Sequence, residues 1–472
     1  MDTNEFRHLG HALVDWIADY RERLPTLPVM SPVKPGDIRA RFPRDPPAKG
    51  GGLPAALAAL DRDVLPGITH WNHPSFFGYF PSNTSLASVL GDLAAAGLGA
   101  QGMSWVTSPA ATELEEVVME WIRRMIGLSA AFTGVVQDTA STSTLTALLC
   151  ARERSSGFSQ TARGLQGGEP PLVVYASQQA HSSVEKDACL AGFGKAHLRL
   201  VGTDASFAMR GDLLEAAVEK DLAAGLRPCA VVATTGTTAT TALDPVAAIA
   251  EIARRHRMWL HVDAALAGTA MVLPECRWMW EGVEGADSIV FNPHKWMGIG
   301  FDFSAYFVRD PQHLVRVMST NPSYLRTAHD AEVRNLRDWG IPLGRRFRAL
   351  KAWFHLVDVG VEGIQARVRR DLENARWLAA EVDRTAGWQR VAPVPLQTVC
   401  VRHVPGNATD EAILASHNLS IASRVNASGE AYVTPSLLQG RQMIRVSVGA
   451  DATERAHVEA VWKLLREAAG AA

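Results

Sequence analysis

Between about residues 85 and 310 the sequence alternates short, unbroken apolar runs with stretches of helical periodicity, and few folds accommodate that pattern. The runs are "GVVQ" at 134–137, "LVVYA" at 172–176, "AVVATT" at 230–235, "MWLHVDA" at 258–264, "SIVF" at 288–291 and "SAYFV" at 304–308. A strand wetted on one face alternates polar and apolar residues, so a continuous run predicts a strand covered on both faces. The segments between the runs supply that cover. In "DPVAAIAEIARRHR", Asp244 is placed to cap a helix that carries Pro245 in its first turn. The expected architecture is a doubly wound α/β domain.

On either side of this region the pattern changes. Phe6, Leu9, Leu13, Trp16, Ile17 and Tyr20 recur at helical spacing, which predicts an amphipathic helix over 4–24 whose apolar stripe needs a partner surface. "LPTLPVMSPVKPGDIRARFPRDPPAKGGGLP" then holds too much Pro and Gly for regular structure, while its interleaved apolar residues favour an extended arm lying on something. Helix and arm together suggest a segment that wraps another subunit. After Pro342 a helix-rich stretch leads to a smaller C-terminal domain. It ends in a strand with Ile444, Val446 and Val448 on one face and a helix carrying Val458, Val461, Trp462 and Leu465. The expected division is 1–84 as N-terminal helical arm and dimerisation segment, 85–355 as the large α/β domain, and 356–472 as the small α+β domain.

The charge balance removes several functions. With 47 Lys and Arg against 49 Asp and Glu, the net charge of -2 gives no electrostatic footprint for nucleic acid or an anionic membrane. The longest greasy stretch, "LASVLGDLAAAGLGA", is interrupted by Asp92 and falls short of the roughly 20 apolar residues that span a bilayer. "MDTNEFRHLGHALVDW" lacks the basic start and apolar run of a signal peptide. Five scattered cysteines with no C-x-x-C fit a reducing compartment, so a cytoplasmic location is expected. "GIGFDF" lacks the third glycine of a dinucleotide loop, and neither the P-loop nor the G-x-S-x-G pattern occurs. His70 and His73 have no ligand cluster beside them, so no metal site is expected.

Against that background "FNPHKWMGIG" at 291–300 is anomalous, because Lys295 stands just beyond an apolar strand among Trp296, Met297 and Ile299. Burying an unpaired ammonium is costly. Such a lysine snorkels to water, finds a partner, or loses its proton and becomes a nucleophile. Asp263 follows another apolar strand in "WLHVDAALAG". Ligands of open α/β sheets bind beyond the carboxyl ends of the strands, so both residues can face one crevice, with a structural ion pair as the alternative. A third feature is "QDTASTSTLTALLCAR", where Thr139, Ala140, Ser141 and Ser143 lie between a strand and a helical pattern. Hydroxyls and free N–H groups at a helix N-terminus make an anion site, and plain capping explains only one of these hydroxyls. Anion site, strand-end carboxylate and desolvated amine together meet the needs of one cofactor, pyridoxal phosphate. It presents a phosphate, a pyridine nitrogen and an aldehyde that condenses with an amine.

Motifs along nearly the whole chain point the same way. "THWNHPSFFGYFP", "SPAATELE", "QQAHSSVEK", "ATTGTT", "LHVDAALAG", "NPHKW", "NPSYL" and "IPLGRRFRALKAWF" follow one another in order. With them the sequence resembles the group II pyridoxal-phosphate-dependent decarboxylases, particularly the aromatic-L-amino-acid decarboxylases. The resemblance implies a fold type I homodimer with active sites shared at the subunit interface and a small aromatic amino acid as substrate. It implies that Lys295 binds the cofactor covalently, that Asp263 pairs with the pyridinium nitrogen, and that His181 stacks on the ring and contacts the substrate carboxylate. Thr238 would lie near the ring hydroxyl and Ala265 beside the cofactor, while Thr139, Ala140, Ser141, Asn292 and His294 would hold the phosphate. Tyr324, in "NPSYL", would return a proton to Cα from a loop reaching the neighbouring subunit's site.

For the substrate, the resemblance implies an aromatic wall of Trp71, Tyr79 and Phe80, a polar contact from Ser82, and Met103 entering from the partner subunit. Gly344 would leave room for an indole or catechol ring. Leu266 where many relatives have an aromatic residue, Met103 in place of a phenylalanine and Asn72 in place of a histidine bear on ring preference rather than on the reaction. The implied reaction converts DOPA, 5-hydroxytryptophan, tryptophan, tyrosine or phenylalanine to the arylalkylamine and CO2. An oxygen-using aromatic aldehyde synthase on the same fold is the alternative, and a tyrosine rather than phenylalanine at 324 argues against it. Retention of both Lys295 and Tyr324 argues against an inactive dimeric scaffold.

Overall fold

The apolar runs of the central region form one seven-stranded sheet. The computed structural model describes residues 1–50, 52–165, 169–320, 329–330, 332–406 and 408–470, and the sheet belongs to the unit made of Ser82–Arg376 and Ala392–Val399. Its strands are β1 (Thr133–Gln137), β2 (Leu172–Ser177), β3 (Leu198–Val201), β4 (Arg227–Thr234), β5 (Trp259–Asp263), β6 (Ser288–Phe291) and β7 (Ser304–Val308). Their spatial order is β1-β7-β6-β5-β4-β2-β3. All pairings are parallel except those of β7, which runs antiparallel to β1 and β6. The link from β6 to β7 holds only the short turn Pro293–Met297 and no crossover helix, so the chain returns in the opposite direction.

Six of the seven strands coincide with the expected runs within a few residues, β4 starting at Arg227 instead of Ala230. The edge strand β3 was not anticipated. Only its Val201 is buried, so it carries no continuous apolar run. Helices Ala140–Ser156, Ser183–Leu190 and Val246–Arg255 follow β1, β2 and β4. Val135, Leu148, Val174, Val232 and Val290 form part of the core between sheet and helices. One local expectation fails. Pro245, not Asp244, occupies the cap position of Val246–Arg255, because the Asp244 carboxylate is drawn inward to accept the N–H groups of Met209 and Thr234 at 2.7 and 2.8 Å.

The second unit comprises Met1–Pro81, Trp377–Val391 and Cys400–Ala472. Its strands belong to a five-stranded sheet in the order Phe76–Phe77, Tyr432–Leu438, Arg441–Ser447, Thr398–His403, Trp388–Arg390, the first two residues of Thr398–His403 being counted with the large unit. In the helix Arg455–Gly470, the predicted stripe Val458, Val461, Trp462 and Leu465 is buried throughout. The first helix spans Thr3–Arg23, capped by the Asp2 carboxylate. Of its stripe only Leu9 is buried, and Phe6 is 58% exposed. Instead of a continuous extended arm, the chain makes 3-10 turns at Leu24–Thr26 and Arg39–Arg41. At Val29 it lies on its own unit, the N–H donating to Gly429 O at 2.8 Å and the carbonyl accepting from His70 N at 2.9 Å. No helix among the described residues is long and apolar enough to cross a membrane.

Candidate active site

Strands β1, β2, β4, β5 and β6 all end at the same edge of the large sheet, the position at which open α/β sheets bind ligands. Beyond β6 the chain makes the single wide turn Pro293–Met297, closed by Gly298 at φ +93°, a conformation that side chains disfavour. Lys295 lies in this turn. Its N–H donates to Asn292 O at 2.9 Å, and its carbonyl accepts from the Asn83 backbone N–H and side-chain amide at 3.2 and 3.3 Å. Trp296 and Met297 are fully buried, whereas Lys295 is half-buried. Asp263, the last residue of β5, is 4% exposed. Its Oδ1 accepts from Ala265 N at 3.0 Å, and its own carbonyl accepts from Thr235 N at 2.9 Å.

His181 stands in the loop after β2 with an exposed ring. The Ser183 N–H donates to its Nδ1 at 3.2 Å, so the proton of the neutral imidazole resides on Nε2. Burial lowers the pKa of His181, the charge of Asp263 pulls it back up, and that of Lys295 pushes it further down. Asp263 pairs in register with Val290 of β6, the strand that leads into the Lys295 turn.

At the end of β1, Thr139 caps the helix Ala140–Ser156 by accepting from Thr142 N at 3.3 Å. Ser143 and Thr146 turn their hydroxyls back to the carbonyls of Thr139 and Thr142, at 3.1 and 2.8 Å, which accounts for part of the surplus of hydroxyls. The N–H groups of Ala140 and Ser141 lie in the first turn, where no intrahelical partner exists, and both residues are half-buried. Asn292 Oδ1 accepts from Ser304 Oγ at 2.7 Å. His294 Nδ1 accepts from Phe303 N at 3.0 Å, leaving its proton on Nε2. Burial, reinforced by Lys295, holds the pKa of His294 down at about 3, so it is a neutral donor rather than a cation. Thr238 is exposed in the loop after β4, and Ala265 is half-buried beside Asp263.

Of the residues expected to meet substrate, Ser82 donates to His294 O at 3.3 Å, next to the lysine turn. Met103 and Gly344 lie on two segments that pair with each other. Gly102 N donates to Arg345 O at 2.9 Å, Arg345 N to Gln101 Oε1 at 2.9 Å, and Arg337 N to Met103 O at 2.8 Å. A Cβ on Gly344 would stand 3.1 Å from Gln101 Nε2. A buried pair, Arg345 with Glu115 at 2.9 Å, anchors these segments to β1 through Glu115 Oε1, which accepts from Val136 N at 2.9 Å. Gln101 carries no local signature that would have marked it, and Glu115, although it closes the motif "SPAATELE", was not singled out.

Trp71, Tyr79 and Phe80 belong to the other unit. There Trp71 stacks on Tyr79 with ring centroids 5.4 Å apart, Tyr79 on Tyr432 at 6.0 Å, and Tyr432 on Phe76 at 5.3 Å. Gly78 makes room for this stack, since a Cβ there would come within 2.2 Å of the Tyr432 ring. Phe80 is buried, with the Arg445 guanidinium 5.1 Å over its ring. Tyr432 was missed because it lies far along the chain. His70 Nδ1 pairs with Tyr20 OH at 2.9 Å, and His73 Nδ1 accepts from Ser75 N at 2.9 Å, so both have structural partners. Tyr324 lies outside the described residues.

Residues 35–404 match the family model described as the pyridoxal-dependent decarboxylase conserved domain. The chain belongs to the pyridoxal-dependent decarboxylases. It is 40% identical to phenylacetaldehyde synthase of Arabidopsis thaliana, over 99% of this chain and 96% of that one. It is 38% identical to the aromatic-L-amino-acid decarboxylase of Bos taurus, again over 99% and 96%. The crystal structure of Oryza sativa TDC with PLP and tryptamine matches at a TM-score of 0.96 and 35% identity, covering 100% of this chain and 99% of that one. The α/β architecture is that of fold type I, and the cofactor of this decarboxylase family is pyridoxal phosphate. The donor set at the sheet edge suits that cofactor. It offers helix N-terminal N–H groups for a phosphate, a buried carboxylate for a ring nitrogen, an amine for an aldehyde, and an exposed imidazole face for a ring.

Proposed function

We propose that this decarboxylase acts on an aromatic L-amino acid, releasing CO2 and the arylalkylamine, and that Lys295 holds its cofactor. The observation supporting this reading is that Asp263 ends β5, Lys295 stands just beyond the adjoining β6 and His181 just beyond β2, all at the sheet edge where Ala140–Ser156 begins. When bound, pyridoxal phosphate supplies an electron sink for the bond between the substrate's Cα and its carboxylate. The N–H groups of Ala140 and Ser141, the Thr139 cap and the neutral donor His294, with Asn292, are assigned to the phosphate. Asp263 would keep a proton on the ring nitrogen of the bound cofactor. A carboxylate this deeply buried does so more strongly than one in water. Thr238 and Ala265 would flank the ring. His181 would offer its ring face to the cofactor and its Nε2–H to the substrate carboxylate. Tyr324 is assigned the return of the proton to Cα, a general-acid role.

Trp71, Tyr79 and Phe80 are assigned to recognition of the substrate ring, Ser82 to a polar contact, Gly344 to the room that the ring needs, and Met103 of the partner subunit to a further substrate contact. The similarity to phenylacetaldehyde synthase supports a second reading, an oxygen-using aldehyde synthase. CO2, amine, aldehyde and oxygen uptake measured side by side on DOPA, 5-hydroxytryptophan, tryptophan, tyrosine and phenylalanine decide between them. Equimolar CO2 and amine without oxygen uptake is the expected result. Aldehyde with oxygen uptake would replace the first reading by the second, and no CO2 from any of the five would overturn both.

The homodimer belongs to the same proposal. Supporting it, Leu86, Leu90 and Leu93 are each 49% exposed on one side of the helix Leu86–Leu98, and the stripe of the first helix is only partly covered. In functional terms we divide the chain into a dimerisation segment at 1–84, a cofactor-binding part at 85–355 and a C-terminal part at 356–472. Five cysteines without a disulfide suit a cytoplasmic location.

A further inference from the structure

The turn that carries Lys295 is clamped from one side by the segment Arg348–Arg384, two helices joined at a kink at Gly360. The Trp296 indole N–H donates to Asp371 Oδ2 at 2.8 Å, and both side chains are fully buried. Arg367 donates to the carbonyl of the same Trp296. Asp371 Oδ1 faces Arg370 Nε at 3.5 Å and takes no hydrogen bond among the described residues. Farther along, a Cβ on Gly298 would stand 3.1 Å from His355, whose Nδ1 pairs with Ser85 Oγ at 2.8 Å, and Ser85 N donates to Gly298 O at 3.0 Å. The residue that follows the lysine is thus held at its side chain by Asp371 and at its carbonyl by Arg367.

We propose that Asp371 is a positioning residue for Lys295, acting through Trp296, so that the Asp371–Trp296 hydrogen bond sets the direction in which the lysine amine points. This rests on the reading of Lys295 as the cofactor lysine. The physical case begins with cost. An aspartate buried in a helix is expensive unless it is paired, and burial pushes Asp371 up to about 6. The charge of Arg367 offsets this cost first, and the bond to Trp296 comes next, ahead of the charge of Arg370. Leverage supplies the rest of the case. The amine sits about 6 Å from its Cα, so a rotation of the turn by roughly 10° moves it by about 1 Å, a displacement that costs about 100-fold in rate when reacting groups are otherwise aligned.

The test uses the full-length holoenzyme loaded with pyridoxal phosphate. Borohydride trapping and peptide mapping of the parent protein come first, and a label elsewhere than Lys295 overturns the assignment of the lysine and, with it, this proposal. Given the label, Trp296→Phe removes the donor together with part of a buried ring, Asp371→Ala removes the acceptor, Asp371→Asn keeps an acceptor without the charge and leaves Trp296 intact, and Arg369→Ala, near Asp371 in the chain, breaks an exposed pair with Glu275 as a control. In Trp296→Phe and Asp371→Ala we expect kcat to fall 10- to 100-fold with KM changed less than threefold. The pH at which the cofactor absorption band titrates should shift measurably, and Asp371→Asn should recover most of both effects. Arg369→Ala should leave both unchanged. With Lys295 labelled, the proposal is overturned if Trp296→Phe keeps the parent kcat and band titration, or if only thermal stability falls. If Asp371→Ala does not fold, Trp296→Phe and Asp371→Asn still decide.

Discussion

Replacing Gly344 by serine isolates the question of how much room the site leaves for a substrate ring. The new Cβ would stand 3.1 Å from Gln101 Nε2, closer than ordinary van der Waals contact, but against the mobile end of a side chain rather than backbone. Gln101 cannot swing away freely, since its Oε1 accepts from Arg345 N at 2.9 Å. Loss of that bond is worth about 1 kcal/mol. Gly344 is exposed and does not have a left-handed backbone, so stability should change by no more than about that amount. The larger effect is on discrimination. A hydroxymethyl group in a fitted pocket is worth about 1–3 kcal/mol, or roughly 5- to 150-fold in kcat/KM for tryptophan relative to phenylalanine. The assay is kcat/KM on both substrates for parent, Gly344→Ser, Gln101→Ala and the double variant. If the displaced Gln101 amide transmits part of the effect, the double variant should recover part of the tryptophan loss. Equal losses on tryptophan and phenylalanine would refute the reasoning.

Three further outcomes are expected. Tyr324→Phe should still release CO2 but yield less amine, with aldehyde, ammonia and oxygen consumption appearing, whereas amine formation at the parent rate without oxygen uptake would remove Tyr324 from the acid role and leave His181 as the next candidate. Deleting residues 1–50 should give aggregation or inactive monomer by size-exclusion chromatography and activity assay, and a soluble, fully active truncated protein would contradict the dimerisation role. Asp187→Asn should stabilise the protein above pH 7 and leave it unchanged near pH 4. Burial, reinforced by the charge of Asp263, pushes Asp187 up to about 7 from the usual value near 4, and its Oδ2 is buried without a hydrogen bond among the described residues. The folded state therefore holds a proton that the unfolded state releases, and stability is lost as pH rises through that window. Calorimetry at the two pH values measures it, and an equal change at both would rule out the linkage.

Much of the large unit is legible in the chain itself, because a strand covered on both faces must be apolar at every position, and six strands announce themselves in this way. The odd residues at strand ends are legible for a related reason. A lysine or aspartate just after such a run has no cheap structural explanation, so Lys295 and Asp263 stand out before any geometry is known. The half-exposed β3 hides, since only Val201 is buried in it. The antiparallel direction of β7 hides as well, because apolar periodicity reports that a strand is covered and not which way it runs.

What the amino-acid order determined alone is thus local: which segments are strands or helices, which faces seek cover, and which residues are chemically out of place. Tertiary structure decided who meets whom. It stacked Tyr432 on Tyr79, laid Gln101 over Gly344, joined Glu115 to Arg345, withdrew Asp244 from its cap and set Asp371 under Trp296. A periodicity carries the demand for burial but not the identity of the neighbour that satisfies it. That identity follows from how distant parts of the chain pack, where hydrogen bonds and close contacts are settled by shape and by the cost of leaving buried polar groups unpaired.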